Sequence, residues 1–174
     1  MAEVYSVVRL DNMMGTDVGT YLDSVRFYTG SGESEAEAPI ENGNVVLVGD
    51  LLEGERELHK ATVPAANSPI KKIGLVTTPE VMYDERKHSL DEFRNEAGDN
   101  VRIHYLHSGD EFSVTAKGLS IADEEAVAVG NAVELQAGTK LKVVASATSG
   151  STAIGKIIAI ETAGKYKFYV VRVD

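Results

Sequence analysis

A chain of 174 residues carrying 27 acidic against 17 basic side chains, a formal charge of -10, has room for one domain with a sizeable core or two small ones, and none for a larger enzyme scaffold. Apolar residues at 43% and charged residues at 25% are ordinary globular usage, and no apolar run reaches the ~18 residues that a bilayer-spanning helix needs, so a soluble protein is expected, with no membrane partner. The acidity repels phosphate backbones, which argues against nucleic acid, and the absence of cysteine excludes disulfides, thiolate nucleophiles and cysteine-bound metals.

The amino-terminal stretch Met1 to Gly15 has acidic and polar residues where a signal peptide needs a cationic start and an unbroken apolar run, so secretion by that route is not expected. Val4 to Leu10 alternates weakly, and the following Gly- and Ser-containing run turns acidic from Gly30 to Pro39. Residues 1–39 therefore read as an extended arm and an acidic linker. Three roles are open for the arm: a strand added to a neighbour's exposed sheet edge through Val4, Tyr5, Val7, Val8 and Leu10, the first strand of its own domain, or an untethered terminus that frays.

From Ile40 the punctuation becomes regular. Glu41-Asn-Gly43 turns into Val45-Val-Leu-Val48, which reads as a buried strand closed by Gly49-Asp50. Glu57 to Val63 has a weak apolar face and ends at Pro64, the pattern of an edge strand. A loop from Pro64 to Pro69 leads to a short strand from Ile73 to Thr78. Ser89-Leu-Asp-Glu92 has the form of a capping box and predicts a helix of two to three turns, with Leu90, Phe93 and Ala97 on one face and Gly98 as its stop. Val101 to Leu106 and Glu111 to Ala116 both alternate, and His107-Ser-Gly-Asp110 between them predicts a hairpin.

The last third repeats this rhythm. Strands are expected at Val133 to Leu135, Leu141 to Ala145 and Ile154 to Ile160. An Ala163-Gly164 turn then leads into Lys165 to Val173, whose near-continuous apolar and aromatic character suits a central strand. The fold class is mainly β: a small barrel or sandwich of short antiparallel strands with one short helix and an extended amino-terminal arm. Residues 40–174 form the β-rich domain, for which 40–118 and 119–174 are candidate sub-lobes.

Reactive constellations are sparse. His59, His88, His104 and His107 form no HxxxH or HExxH pattern, and His104 with His107 needs a carboxylate such as Asp84 or Asp110 to make a metal site. Glu33, Glu35 and Glu37, Asp91-Glu92 and Asp123-Glu-Glu125 are acid runs without the fixed pocket spacing of catalytic pairs or the calcium-loop pattern. The glycine-rich pieces Gly15 to Gly19 and Thr148 to Gly155 lack the Gly-Lys-Ser/Thr end of a phosphate loop. No catalytic residue, cofactor or metal is assigned, and a non-enzyme is expected. Two classes remain open: a structural protein that binds an assembly through its β surface, and a small β-barrel ligand binder or enzyme using the Val101 to His107 face.

The order of segments resembles the small head proteins of tailed bacteriophages. The resemblance is carried by Ile40-Glu-Asn-Gly43 with Val45 to Asp50, Glu55-Arg-Glu57, Thr77-Thr-Pro-Glu80 to Tyr83-Asp84, Asn95-Glu-Ala-Gly98 and Ser108 to Thr115. Gly130-Asn131 to Ile160, with its Ala137-Gly-Thr139 turn and Ile154-Gly-Lys156, is similar to capsid decoration proteins of the β-tulip type. That resemblance implies a head cement protein, made in the bacterial host cytoplasm and located on the virion exterior. Its partner is the major capsid protein, and it acts as a homo-oligomer on the shell, a trimer being one option. The charged stretch Asp84 to Asn100 exceeds a minimal decoration domain, leaving a second role or subdomain open. If the arm is the capsid contact, its deletion through Leu10 is expected to weaken capsid binding more than folding.

Overall fold

A computed structural model describes residues 3–10 and 21–174, so the Gly15 to Gly19 stretch lies outside the described residues. Among the described residues twelve strands follow in order: β1 (Leu22–Thr29), β2 (Ala36–Glu37), β3 (Val45–Leu51), β4 (Leu58–Thr62), β5 (Ile73–Val76), β6 (Val101–Tyr105), β7 (Glu111–Thr115), β8 (Leu119–Ser120), β9 (Ala132–Glu134), β10 (Leu141–Val144), β11 (Ala153–Ala163) and β12 (Tyr166–Val173). The protein is mainly β. Strands β1, β4, β3, β5 and β6 form a closed five-stranded barrel, because β6 pairs back onto β1, with β2 appended to β1; β7-β12-β11-β9-β10-β8 form a half-barrel. Most pairs are antiparallel, but β1 runs parallel to β4 and β8 parallel to β10.

One wall serves two cores, and that explains the unbroken apolar runs. In β3 and β5, Val46, Val48 and Val76 face the barrel interior with Val25, Phe27, Ala61, Val101 and Ile103. Val45, Ile73 and Leu75 face the other way, into the half-barrel core with Phe112, Val114, Leu141, Ile157 and Tyr169. Alternate side chains are therefore apolar on both faces of the strand. The lobes are also stitched through the backbone: Val45 N–H donates to Thr139 O at 2.7 Å and Thr152 N–H to Ala66 O at 2.7 Å.

Several sequence expectations change. Residues 22–29, placed in the arm and linker, are β1. Val25 and Phe27 point inward, while the strand takes its partners from β4 and β6, far along the chain. Strand β4 is no edge, since barrel closure sets it between β1 and β3 and buries Leu58 and Ala61. The β6 and β7 hairpin does not form. Its turn is present, with Asp110 N–H on His107 O at 3.0 Å, but Gly109 N–H goes to Val173 O and the chain crosses there from barrel to half-barrel. The chain thus passes from the barrel sheet to the half-barrel sheet between β6 and β7.

The helical signature yields one turn of 3-10 helix, Leu90–Glu92. Glu92 does reach back to the Ser89 N–H at 2.9 Å, yet Phe93 is already extended. Leu90 and Ala97 are exposed, so no apolar face is buried to sustain a longer helix. The Asp84 to Asn100 region is joined to the barrel by the Ile40 and Asn95 bridge, with Asn95 buried. Among the described residues no helix is long and apolar enough to cross a membrane.

Glu134 on β9 is 1% exposed and accepts the Thr148 N–H at 2.7 Å, with Lys142 Nζ at 3.4 Å. Burial works against its ionised form, but the Thr148 and Lys142 donors outweigh it and hold the carboxyl below its ordinary 4.5. A depressed folded-state pKa contributes stability that is present above the unfolded value and lost as pH falls through the folded one. Glu134→Gln is therefore expected to cost about 1–2 kcal/mol at neutral pH. Urea unfolding of both proteins is expected to show that difference shrinking below pH 4.5, and a constant difference would exclude the ionised carboxylate as its source.

Candidate functional site

The amino-terminal segment lies on the open edge of β7 in its own domain, but it is not the first strand: it makes a single isolated bridge, Val8 with Val114, and among the described residues the first strand is β1. Val7 N–H donates to Thr115 Oγ1 at 3.1 Å and Thr115 N–H to Val7 O at 3.0 Å, while Arg9 N–H reaches Ser113 O at 3.0 Å. Further along, Tyr5 N–H bonds Asp91 O at 2.8 Å and Ser6 N–H bonds Glu41 Oε2 at 2.8 Å. Val7 and Val8 are buried, and Ser6 occupies a notch that Gly43 and Gly118 leave open, where an added Cβ would fall 2.9 and 2.3 Å from its Oγ. The guanidiniums of Arg94 and Arg9 cover the rings of Tyr5 and Phe168 at 5.0 and 5.8 Å.

This docking creates a groove on either side of the segment. The first, about 450 Å³, has an apolar floor of Val4, Val7, Leu119 and Ile121 and a rim that includes Lys117, Lys165 and Lys167. The second, about 410 Å³, runs along Val8 and Leu10 to Leu90 and Phe168. Of the five sequence-predicted interface residues, Val4, Tyr5 and Val7 line the first groove, and Val7, Val8 and Leu10 the second. Val4 is 52% exposed, whereas Val8 belongs to the core at 1%.

The rim is a network of charges held in place. Lys165 Nζ sits 2.9 Å from Asp91 Oδ1, which also accepts the Tyr166 hydroxyl at 3.0 Å. Partial burial disfavours the Asp91 carboxylate, yet these two donors hold it below the usual range. The Asp91 carboxylate in turn pushes the Lys165 ammonium up. Lys167 lies 3.6 Å from Glu124 and 5.2 Å from the Tyr169 ring centre. Lys117 is exposed and forms no ion pair among the described residues.

A long connection without regular structure, Thr77 to Ser89, adjoins the second groove through Glu80 and runs into Leu90, which also lines it. Connections longer than about 12 residues inside compact domains are mostly functional or linkers. This one is pinned at its start, where Asn42 Nδ2 donates to Thr78 O at 2.7 Å and Asn42 Oδ1 accepts Thr78 N–H at 3.1 Å. In its middle Arg86 chelates Asp84 through two bonds of 2.9 and 2.8 Å, which holds the Asp84 carboxyl below its usual range. That pair is internal to the connection, and beside it Val81 is 57% and Tyr83 94% exposed. Sequence reading left Tyr83 out of the site, because nothing local distinguishes an exposed tyrosine from a core one.

The alternative face, Val101 to His107, is divided by the fold. Val101 and Ile103 enter the barrel core, and buried His104 has Nδ1 2.6 Å from Thr77 Oγ1. His107 stands outside against Tyr21, ring centres 4.2 Å apart, and Tyr105 donates to Asp23 at 3.1 Å. Burial and the Asp23 carboxylate push the Tyr105 hydroxyl up to about 12. Of this stretch only Arg102 lines the nearby hollow of about 460 Å³, along with Asp23 and His59, whose Nε2 is 3.5 Å from Asp23 Oδ2. His88 is exposed in the long connection, and among the described residues no three His, Asp or Glu side chains gather as a metal site.

Comparison with family models, curated proteins and solved structures finds no match to this chain.

Proposed function

We propose that the protein is a capsid decoration protein of a tailed bacteriophage, a cement that binds the outside of an assembled head between major capsid subunits and stabilises the shell without catalysis. The observation that carries this reading is the face made by the amino-terminal segment and its two grooves, with the adjoining Thr77 to Ser89 connection held at its start by Asn42. Val4 and Leu90 line these grooves and stay exposed, as do Val81 and the almost fully exposed Tyr83 in the connection, while Leu51, Val63 and Val129 are exposed elsewhere. Tyrosine is among the side chains that most often anchor protein interfaces, with apolar neighbours excluding water around it. Repetition of one modest contact over a symmetric shell multiplies its effect on the lattice, and the net charge of -10 suits a surface that must not capture packaged DNA. The same reading makes the major capsid protein the partner, the virion exterior the location and a homo-oligomer the bound state.

Co-sedimentation with assembled heads and with dissociated capsid subunits tests this. Saturable binding to heads alone is expected. Tyr83→Ala is expected to weaken it at least tenfold, as loss of an interface anchor does, with the unfolding midpoint unchanged because the ring is almost fully exposed. Absence of binding by the unaltered protein to either form would reject the cement role and favour a ligand at the Asp23, His59 and Arg102 hollow.

A further inference from the structure

The first groove has a chemistry that selects among partners. Its floor is apolar, and its lining sets three ammonium groups, Lys117, Lys165 and Lys167, against two carboxylates, Asp91 and Glu124, a positive balance on a chain whose formal charge is -10. Two of the three, Lys165 and Lys167, are oriented by Asp91 and Glu124, while Lys117 is exposed without an ion pair among the described residues. A lysine ammonium offers three donors; Lys165 already meets Asp91 Oδ1 at 2.9 Å and Ser89 Oγ at 3.1 Å, which leaves it one, and Lys167 with its single carboxylate keeps more. An apolar floor beneath a rim whose lysines outnumber its carboxylates complements an extended segment that alternates apolar and acidic side chains, since successive residues of a strand point to opposite sides.

We propose that this groove is the receptor for an extended acidic segment of the lattice subunit. Apolar side chains of that segment seat on Val4, Val7, Leu119 and Ile121, and its carboxylates meet Lys117, Lys165 and Lys167. The source of the segment rests on the cement reading; the groove's preference for acidic over basic strands stands apart from it.

The test uses the full chain and two synthetic peptides of about eight residues, extended at ~3.3 Å per residue, one alternating valine with glutamate and the other valine with lysine. In fluorescence anisotropy the acidic peptide is expected to bind and to weaken with added salt, and the basic one to show no binding. Lys117→Glu is expected to weaken the acidic peptide by roughly five- to tenfold, the effect of reversing one exposed charge. The unfolding midpoint is expected to stay in place, because Lys117 is a surface residue. Equal binding of both peptides, no binding of the acidic one, or a Lys117→Glu variant that binds it like the unaltered protein would overturn the proposal. Head co-sedimentation separates the two ideas. If heads take up the unaltered protein and Lys117→Glu alike, the groove proposal fails and the cement role stands. If heads take up neither while the acidic peptide still binds, the cement role fails and the groove stands.

Discussion

Gly155→Ala is expected to destabilise the protein by about 3 kcal/mol or more, the upper end for an overpacked interior. Gly155 lies on β11 opposite Val173 of β12, and a Cβ there would sit 1.9 Å from the Arg172 carbonyl oxygen and 2.9 Å from Val173 Cα. Every one of those atoms is backbone, so no side chain can rotate away. Relief requires β12 to move, and β12 is the central strand between β7 and β11. Its Phe168, Tyr169, Val170 and Val171 are all buried, so displacement would disturb the whole half-barrel. Against a typical net stability of about 5–15 kcal/mol, such a loss is large. Urea denaturation is expected to show a lower midpoint with an unchanged slope. Ala153→Ser, two residues away on the same strand and exposed, is expected to stay within about 0.5 kcal/mol. A Gly155→Ala midpoint equal to the parent's would mean that the two strands are not in this register.

Local rules made the half-barrel legible and left the barrel's closure hidden. The Ala163-Gly164 turn joins β11 and β12 because Ala163 pairs directly with Tyr166, a contact three residues apart. The apolar run of β12 marks a strand covered on both sides. By contrast, β1 is flanked by acidic and Gly/Ser-rich runs with the composition of a linker, and only its alternation of Val25 and Phe27 with Ser24 and Arg26 betrays a strand. Its pairings, Val25 with His59 and with Val101, are set by the shape of the finished barrel. The same contest settled β6 and β7: the His107 to Asp110 turn formed as its residues dictate, while the ladders with β5, β1 and β12 directed the strands apart. For the candidate site, Val4 to Leu10 was readable from its alternation. Its groove was not, because Val4, Lys117 and Lys165 come together only once the segment lies on β7.

Deletion of residues 1–10 is expected to cost about 4 kcal/mol or more, since Val7 and Val8 are fully buried at about 2 kcal/mol each and Thr115 and Ser113 lose their partners. The deletion would therefore damage folding at least as much as any contact with a partner, and the segment's two halves must be separated to see recognition. Val8→Ala, in the core beside Val114, is expected to lower stability by about 2 kcal/mol. Its effect on head binding is expected to follow only from the fraction unfolded. Val4→Ser sits at an exposed position on the groove floor, so it is expected to change stability by no more than about 0.5 kcal/mol. Binding to assembled heads is nonetheless expected to fall severalfold, because the lost apolar contact is made only in the complex. Thermal unfolding beside head co-sedimentation reads both quantities for each variant. If Val4→Ser binds like the parent while Val8→Ala loses binding beyond its unfolded fraction, the segment contributes to recognition through its packed side, and the groove floor is not the contact.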